Sequence, residues 1–386
     1  MVFMQRGKTM RVAYLMRVDA LEKPGGDLVQ IQKTIAAGLA GGEDGNPLYT
    51  GEILTSLHPD LSGFDLAHLT NIDRPVDTHC QFLAARAAGK PIVLSTIHHS
   101  YEEIGCYERL GRGGVVGSLS GSVGFRGMES ARSLARAANH AQLLWPTLRV
   151  MLAGMLSAQR AVLQGADALL VLTAKEQRDI LRDFGPLDAA RFERVGNGIE
   201  PFSLEDGAER ARDVDVCVVG RIEARKNQIA ILRALERLGV SGMFAGRENP
   251  NHKAYCNEFK RLIGGSASTY LGGLSQADTQ SLMRRSRVHV SASWFEVSSL
   301  VDIEAHVAGC SVVSSKCGGT HEILGERALY VDPGSPQDIE QAVSLALERS
   351  KSGAASDQDE ESFVLESWIS AAKRLARIYR RLLDRA

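Results

Sequence analysis

Val288 to Ser315 read VHVSASWFEVSSLVDIEAHVAGCSVVSS, and the order of the apolar runs in this stretch decides the fold. The β-branched start VHVSAS suits a strand, the spacing from Ser299 to Ala308 suits a helix, and SVVSS suits a second strand. Strand, helix and strand joined by short loops make a βαβ unit, whose strands run parallel. Trp294 to Ser298 then form the loop at the carboxyl end of the first strand, where ligands of such sheets bind.

That loop and helix carry two carboxylates in an otherwise core-like run, Glu296 and Glu304. A buried polar group without a partner is costly, so their presence points to a ligand rich in hydroxyls. Glu304 lies in the second turn of the helix, where a side chain leans back toward the N-terminus, so both carboxylates can reach one molecule. Ser299 with Asp302 reads as a capping box, and the amides near Leu300 to Asp302 suit an anion.

The same alternation runs outward along the chain. In the first half the strands are predicted in RVAYLM, FDLAHLT, PIVLSTI and ALLVLT, with helices over Leu28–Leu39, Thr78–Ala88 and Lys175–Phe184. The second half repeats the rhythm through DVCVVG, GMFAG, VHVSAS, SVVSS and ALYVD. Two doubly wound, Rossmann-like parallel-sheet domains are therefore predicted, residues 1–200 and 201–367, facing each other across a cleft. A final helix near 368–386 is expected to pack back on the first. A chain of 386 residues is long enough for two cores.

Composition narrows the function. A formal net charge of −1 gives no electrostatic case for nucleic acid. The six cysteines have no metal-binding spacing and read as reduced thiols of a cytoplasmic protein. The N-terminus has no signal-like apolar stretch, and no run reaches the length of a membrane span. No GxGxxG follows a strand, which argues against a nicotinamide enzyme.

A second constellation lies in VCVVGRIEARKNQ. Gly220 ends a strand and is followed by Arg221 and Lys226, a planar fork and a point charge placed to grip a diphosphate. Gly220-Arg221-x4-Lys226, Glu296-x7-Glu304-Ala305 and GGTHEIL from Gly318 to Leu324 together resemble the donor-site signature of glycosyltransferase family 4, retaining enzymes of the GT-B fold. The likeness covers nearly the whole second half. KPGGDLVQIQKT, STIHH, ADALLVLTAKEQ and VGNGIEP are weaker echoes in the first.

The resemblance implies a role for each matching position. Glu304 would hold the ribose diol of a nucleotide and Glu296 a hydroxyl of the donor sugar. Arg221 and Lys226 would bind the diphosphate, helped by the amides of Val297, Ser298, Ser299, Leu300 and Val301. Gly25 and Gly26 would let the backbone approach the diphosphate, and His98 or His99 would face the reacting sugar. Of the two histidines His98 is slightly preferred, although a strand end aims successive side chains in opposite directions. The resemblance further implies transfer with retention, the departing phosphate deprotonating the incoming hydroxyl on the same face. No DxD-type site lies in a suitable loop, so no metal and no resident cofactor are predicted.

The pattern departs from the family at Val297-Ser298-Ser299 and at Asn227, where glycines are common, so the donor sugar stays open. Gly111 to Gly127 holds seven glycines and reads as a loop or an acceptor-side lid. Arg109, Arg112, Arg126, Arg132, Arg136 and Arg149 give that region a positive field, suited to a lipid-diphosphate acceptor or to a peripheral contact with the inner face of a membrane. The partners implied are a nucleotide-sugar donor and a glycan or lipid-linked glycan acceptor, in glycan or surface polysaccharide synthesis. A nucleotide-sugar epimerase on the same scaffold, or a non-catalytic sugar-nucleotide binder, are the alternatives.

Overall fold

The structure is a computed structural model that describes residues 9–23, 25–42, 46–112, 133–138, 140–199, 212–351 and 366–385. Most of the glycine-rich stretch, the expected junction at 200–211 and the acidic stretch after Lys351 lie outside the described residues. The chain divides into two units. Of the described residues, 9–98, 133–199 and 366–385 build the first, and 99–112 with 212–351 build the second.

The first unit is a parallel sheet of six strands, β1 (Arg11–Leu15), β2 (Thr50–Leu54), β3 (Leu66–Thr70), β4 (Ile92–Ser95), β5 (Ala168–Val171) and β6 (Phe192–Arg194), in the order 2-1-3-4-5-6. Its central strands are buried on both faces, as helices on each side require. The flanking helices are α1 (Gly26–Ala40), α2 (Pro75–Ala87), α4 (Leu144–Ala153), α5 (Met155–Gly165) and α6 (Ala174–Phe184). The last helix, α13 (Trp368–Leu383), packs on α1 and buries Tyr379, whose hydroxyl meets His68 Nδ1 at 2.6 Å and the Tyr14 hydroxyl at 3.1 Å. β2 and β6 went unforeseen because edge strands keep mixed, half-exposed sequences that carry no apolar run.

The second unit repeats the plan with β7 (Val214–Val219), β8 (Gly242–Ala245), β9 (Thr269–Tyr270), β10 (Ser286–Val290), β11 (Ser311–Ser315) and β12 (Ala328–Val331). Its helices include α7 (Gln228–Leu238), α8 (Lys253–Ile263), α9 (Gln276–Arg285), α10 (Leu300–Val307), α11 (His321–Leu324) and α12 (Pro336–Lys351). The strand order is 12-11-10-7-8-9, so the topological switch falls between β7 and β10.

One segment departs from the expected boundary. Residues 99–112, including the short helix α3 (Tyr101–Cys106), pack with the second unit: Tyr107 lies 5.5 Å from the Phe295 ring, and Glu103 Oε1 accepts the Gly318 amide at 2.9 Å. Aromatic contact and the Glu103–Gly318 hydrogen bond hold them there rather than on the strand they follow. Among the described residues no helix is long and apolar enough to cross a membrane.

Candidate functional site

At the switch point the loops after β7 and β10 meet. The turn after β7 brings Arg225 against the loop after β10, where its guanidinium donates to Glu296 Oε1 at 2.8 Å and to the Phe295 carbonyl at 3.1 Å. The same group holds Glu223 Oε1 at 2.8 Å and lies 5.3 Å from the Phe295 ring centre. Lys226 Nζ also donates to Glu296 Oε1. Burial alone would raise the Glu296 carboxyl, but Arg225 and Lys226 outweigh it and hold it down at about 2. Glu296 is thus an anion clasped by two cations.

Backbone geometry fixes these side chains. Asn227 takes the left-handed conformation, with φ of +60°, and its side-chain amide donates to the Pro333 carbonyl at 2.9 Å. Asparagine tolerates that region better than other residues with a Cβ. Gly318, with φ of +83°, passes so close to the Glu296 loop that a Cβ would lie 2.5 Å from the Glu296 carbonyl. The Gly319 amide then donates to the Val297 carbonyl at 2.9 Å, and Thr320 Oγ1 accepts the Ser299 amide at 3.0 Å.

The predicted capping box does not form. Ser299 sits at the cap of α10 without a side-chain bond to the helix amides. Asp302 is fully buried against the sheet, accepting from Ser291 Oγ at 2.8 Å and Ser314 Oγ at 2.5 Å, with His289 Nε2 at 3.2 Å. A carboxylate in that interior needs strong donors more than a helix end needs a cap. Behind the ring, His289 Nδ1 lies 3.7 Å from Cys217 Sγ. Glu304 follows on the same helix and is half-buried, and Leu300 and Val301 in the first turn are partly exposed. The Ser299 amide, one of the five expected to meet a ligand, is already spent on Thr320. Ser298 Oγ is buried without a hydrogen-bond partner.

Of the expected diphosphate pair, Lys226 lies inside the cluster, whereas Arg221 is exposed just past Gly220. Arg225 was not foreseen. Its only signal was that RIEARK holds three cations, and spacing alone does not tell which of them turns inward.

The histidines part company. Ile97 has φ of +45°, a strained value for a β-branched residue, and the kink sends the following side chains apart. His98 is 1% exposed and fixed in the first unit, Nδ1 at 2.7 Å from Asp73 Oδ1 and Nε2 at 3.0 Å from Asp183 Oδ2. Burial would depress its pKa, but the two carboxylates win and push it up to about 9. Both ring nitrogens are engaged, so the slight preference for His98 as the ligand-facing residue is reversed by the geometry. His99 belongs to the second unit, packs edge-on against Phe295 at 5.4 Å, and adds to the positive field at Glu296. Gly25 and Gly26, in the first unit, open α1: Gly25 is its cap beside the Arg17–Asp27 pair, and Gly26 has open space where a Cβ would stand.

Comparison with known sequences reaches the same region. The family profile described as "Glycosyl transferases group 1" matches residues 201–360, the span that contains the switch-point loops. The second domain is a group 1 glycosyl transferase domain. Its curated relatives include the glycogen synthase of Mycobacterium tuberculosis, 28% identical over 184 residues, or 45% of this chain and 43% of that protein. One of the subunits of the Homo sapiens phosphatidylinositol N-acetylglucosaminyltransferase is 21% identical over 197 residues, 49% of this chain and 40% of that protein. These matches span less than half the length of either relative.

Solved structures resemble the chain over nearly its whole length. Anabaena Alr3699/HepE in complex with UDP and glucose aligns with a TM-score of 0.65 at 16% identity, covering 96% of this chain and 99% of that one. Sucrose-phosphate synthase from Thermosynechococcus elongatus aligns with a TM-score of 0.64 at 14% identity, covering 98% and 100%. The group 1 glycosyl transferase domain and the first unit thus form the pair of Rossmann-like domains of a GT-B fold.

Proposed function

We propose that the chain is a retaining, metal-independent glycosyltransferase that moves a sugar from a nucleoside diphosphate to a hydroxyl of a glycan or lipid-linked glycan. The observation that carries this reading is the Lys226–Glu296–Arg225 cluster at the β7–β10 switch point of a group 1 domain. Sugar-nucleotide bond cleavage leaves charge on the diphosphate, and fixed cations in a low-dielectric site stabilise that charge, as removal of one such donor costing ~10²–10³ in rate illustrates. Lys226 and the exposed Arg221 take this role, and as the sugar–diphosphate bond breaks an oxygen of the departing phosphate accepts the proton of the incoming hydroxyl on the same face. Arg225 stays behind to hold Glu296, whose second oxygen meets a sugar hydroxyl. Glu304 takes the ribose, the orphaned Ser298 hydroxyl a ligand oxygen, and His99 the sugar side. The UDP named for HepE and the lipid named for the human relative support a nucleotide donor and a lipid-linked acceptor.

Calorimetry with UDP, GDP and ADP tests the assignment. One of them is expected to bind, and Lys226→Ala to weaken it at least about tenfold, while Arg221→Ala lowers turnover with unchanged melting temperature. Sugar transfer that persists in EDTA supports the absence of a metal. No binding of any diphosphate at millimolar concentration, or formation of an isomeric nucleotide sugar without acceptor, would reject the reading.

A further inference from the structure

Helix α4 has two unlike faces. Thr147 and Val150 turn inward, Val150 joining Leu57, Val76, Ala137 and Ala158 in a buried cluster. Outward, Leu144, Trp145, Leu148 and Leu152 are 46%, 74%, 37% and 90% exposed. At 3.6 residues per turn these four fall within about 100° of arc, with Arg149 on the flank of the stripe. A tryptophan and three leucines on one water-facing stripe mark a contact surface rather than ordinary scatter.

Charge says what covers it. From Ser130 to Ala166 the sequence has four arginines and a histidine but no aspartate or glutamate, although the whole chain has a net charge of −1. A second copy of this chain on a twofold axis would set that basic stretch against itself. A surface that is anionic outside and apolar beneath matches both the arginines and the stripe.

We propose that α4 seats the first unit on an anionic lipid bilayer, with Trp145 and Leu152 entering the acyl boundary and Arg149 meeting headgroup phosphates. Tryptophan is suited to that interface because its ring is apolar and its N–H polar. Docking does not depend on the sugar-transfer reading. Only the corollary rests on it, namely that the acceptor is presented at the membrane.

The test is co-sedimentation of the full chain, without nucleotide, with phosphatidylcholine vesicles or with vesicles containing about one third phosphatidylglycerol. Binding is expected to the anionic vesicles only, to fall as salt rises, and to drop at least about tenfold in the double variant Trp145→Ser, Leu152→Ser. Arg149→Glu is expected to weaken it as well. Nucleoside diphosphate affinity is expected to be unchanged in all these variants, which separates failure of docking from failure of the donor assignment. No sedimentation with anionic vesicles at low salt, or equal sedimentation of the double variant, would overturn the proposal. So would a dimer in velocity sedimentation that the double variant converts to monomer, since the face would then join two copies.

Discussion

Lys226, Glu296 and Arg225 show how one carboxylate is kept charged by its neighbours. A lone glutamate in that loop would pay desolvation and rise toward neutrality, whereas two cations keep it charged and aimed. Glu304 works differently, as a half-buried acceptor on a helix face. Replacing it with alanine is expected to weaken nucleoside diphosphate binding by about 1–3 kcal/mol, the usual cost of removing one partner of a buried hydrogen bond. Calorimetry checks this, and unchanged affinity would remove Glu304 from the ribose. Both glutamates and Lys226 were legible as candidates from their types and spacing. Arg225 was not, because a basic residue one position from another looks the same in a string whether it points outward or across to another loop.

Among the elements, α10 depends most on what lies behind it. Its start carries the loop of Glu296, its second turn carries Glu304, and Asp302 between them is bolted to His289, Ser291 and Ser314 on β10, its adjoining loop and β11. Asp302→Ala leaves a buried imidazolium without its counter-ion, and breaking such a pair costs about 3–5 kcal/mol. A corresponding drop in melting temperature is expected, together with weaker diphosphate binding, and Asp302→Asn should recover part of both. If Asp302→Ala melts like the parent, the anchor is not energetically coupled to the helix. The helix itself was readable from its apolar period. The cap at Ser299 was misread because Ser-x-x-Asp is the same pattern whether the aspartate turns to the helix end or into the sheet.

Across the whole molecule, each unit keeps one buried histidine charged, His98 between Asp73 and Asp183 and His289 beside Asp302. Both have folded pKa values raised from 6.5 to about 9, so the stability they add is complete below pH 6.5 and lost as pH rises through 9. Thermal melts are expected to show each unit losing on the order of 2–3 kcal/mol across that window. His98→Asn is expected to flatten the loss in the first unit and His289→Asn in the second, and an unaltered pH profile in either variant would refute its histidine as the source. The sequence by itself determined the alternation of strands and helices, the two parallel sheets and the loops that hold the candidate residues, because these follow from apolar period and glycine placement along the chain. Tertiary structure alone decided which of His98 and His99 turns inward, that Arg225 joins Glu296, and that residues 99–112 pack with the second unit. Those outcomes rest on contacts between residues far apart in the chain, where burial and charge pairing outweigh any local preference.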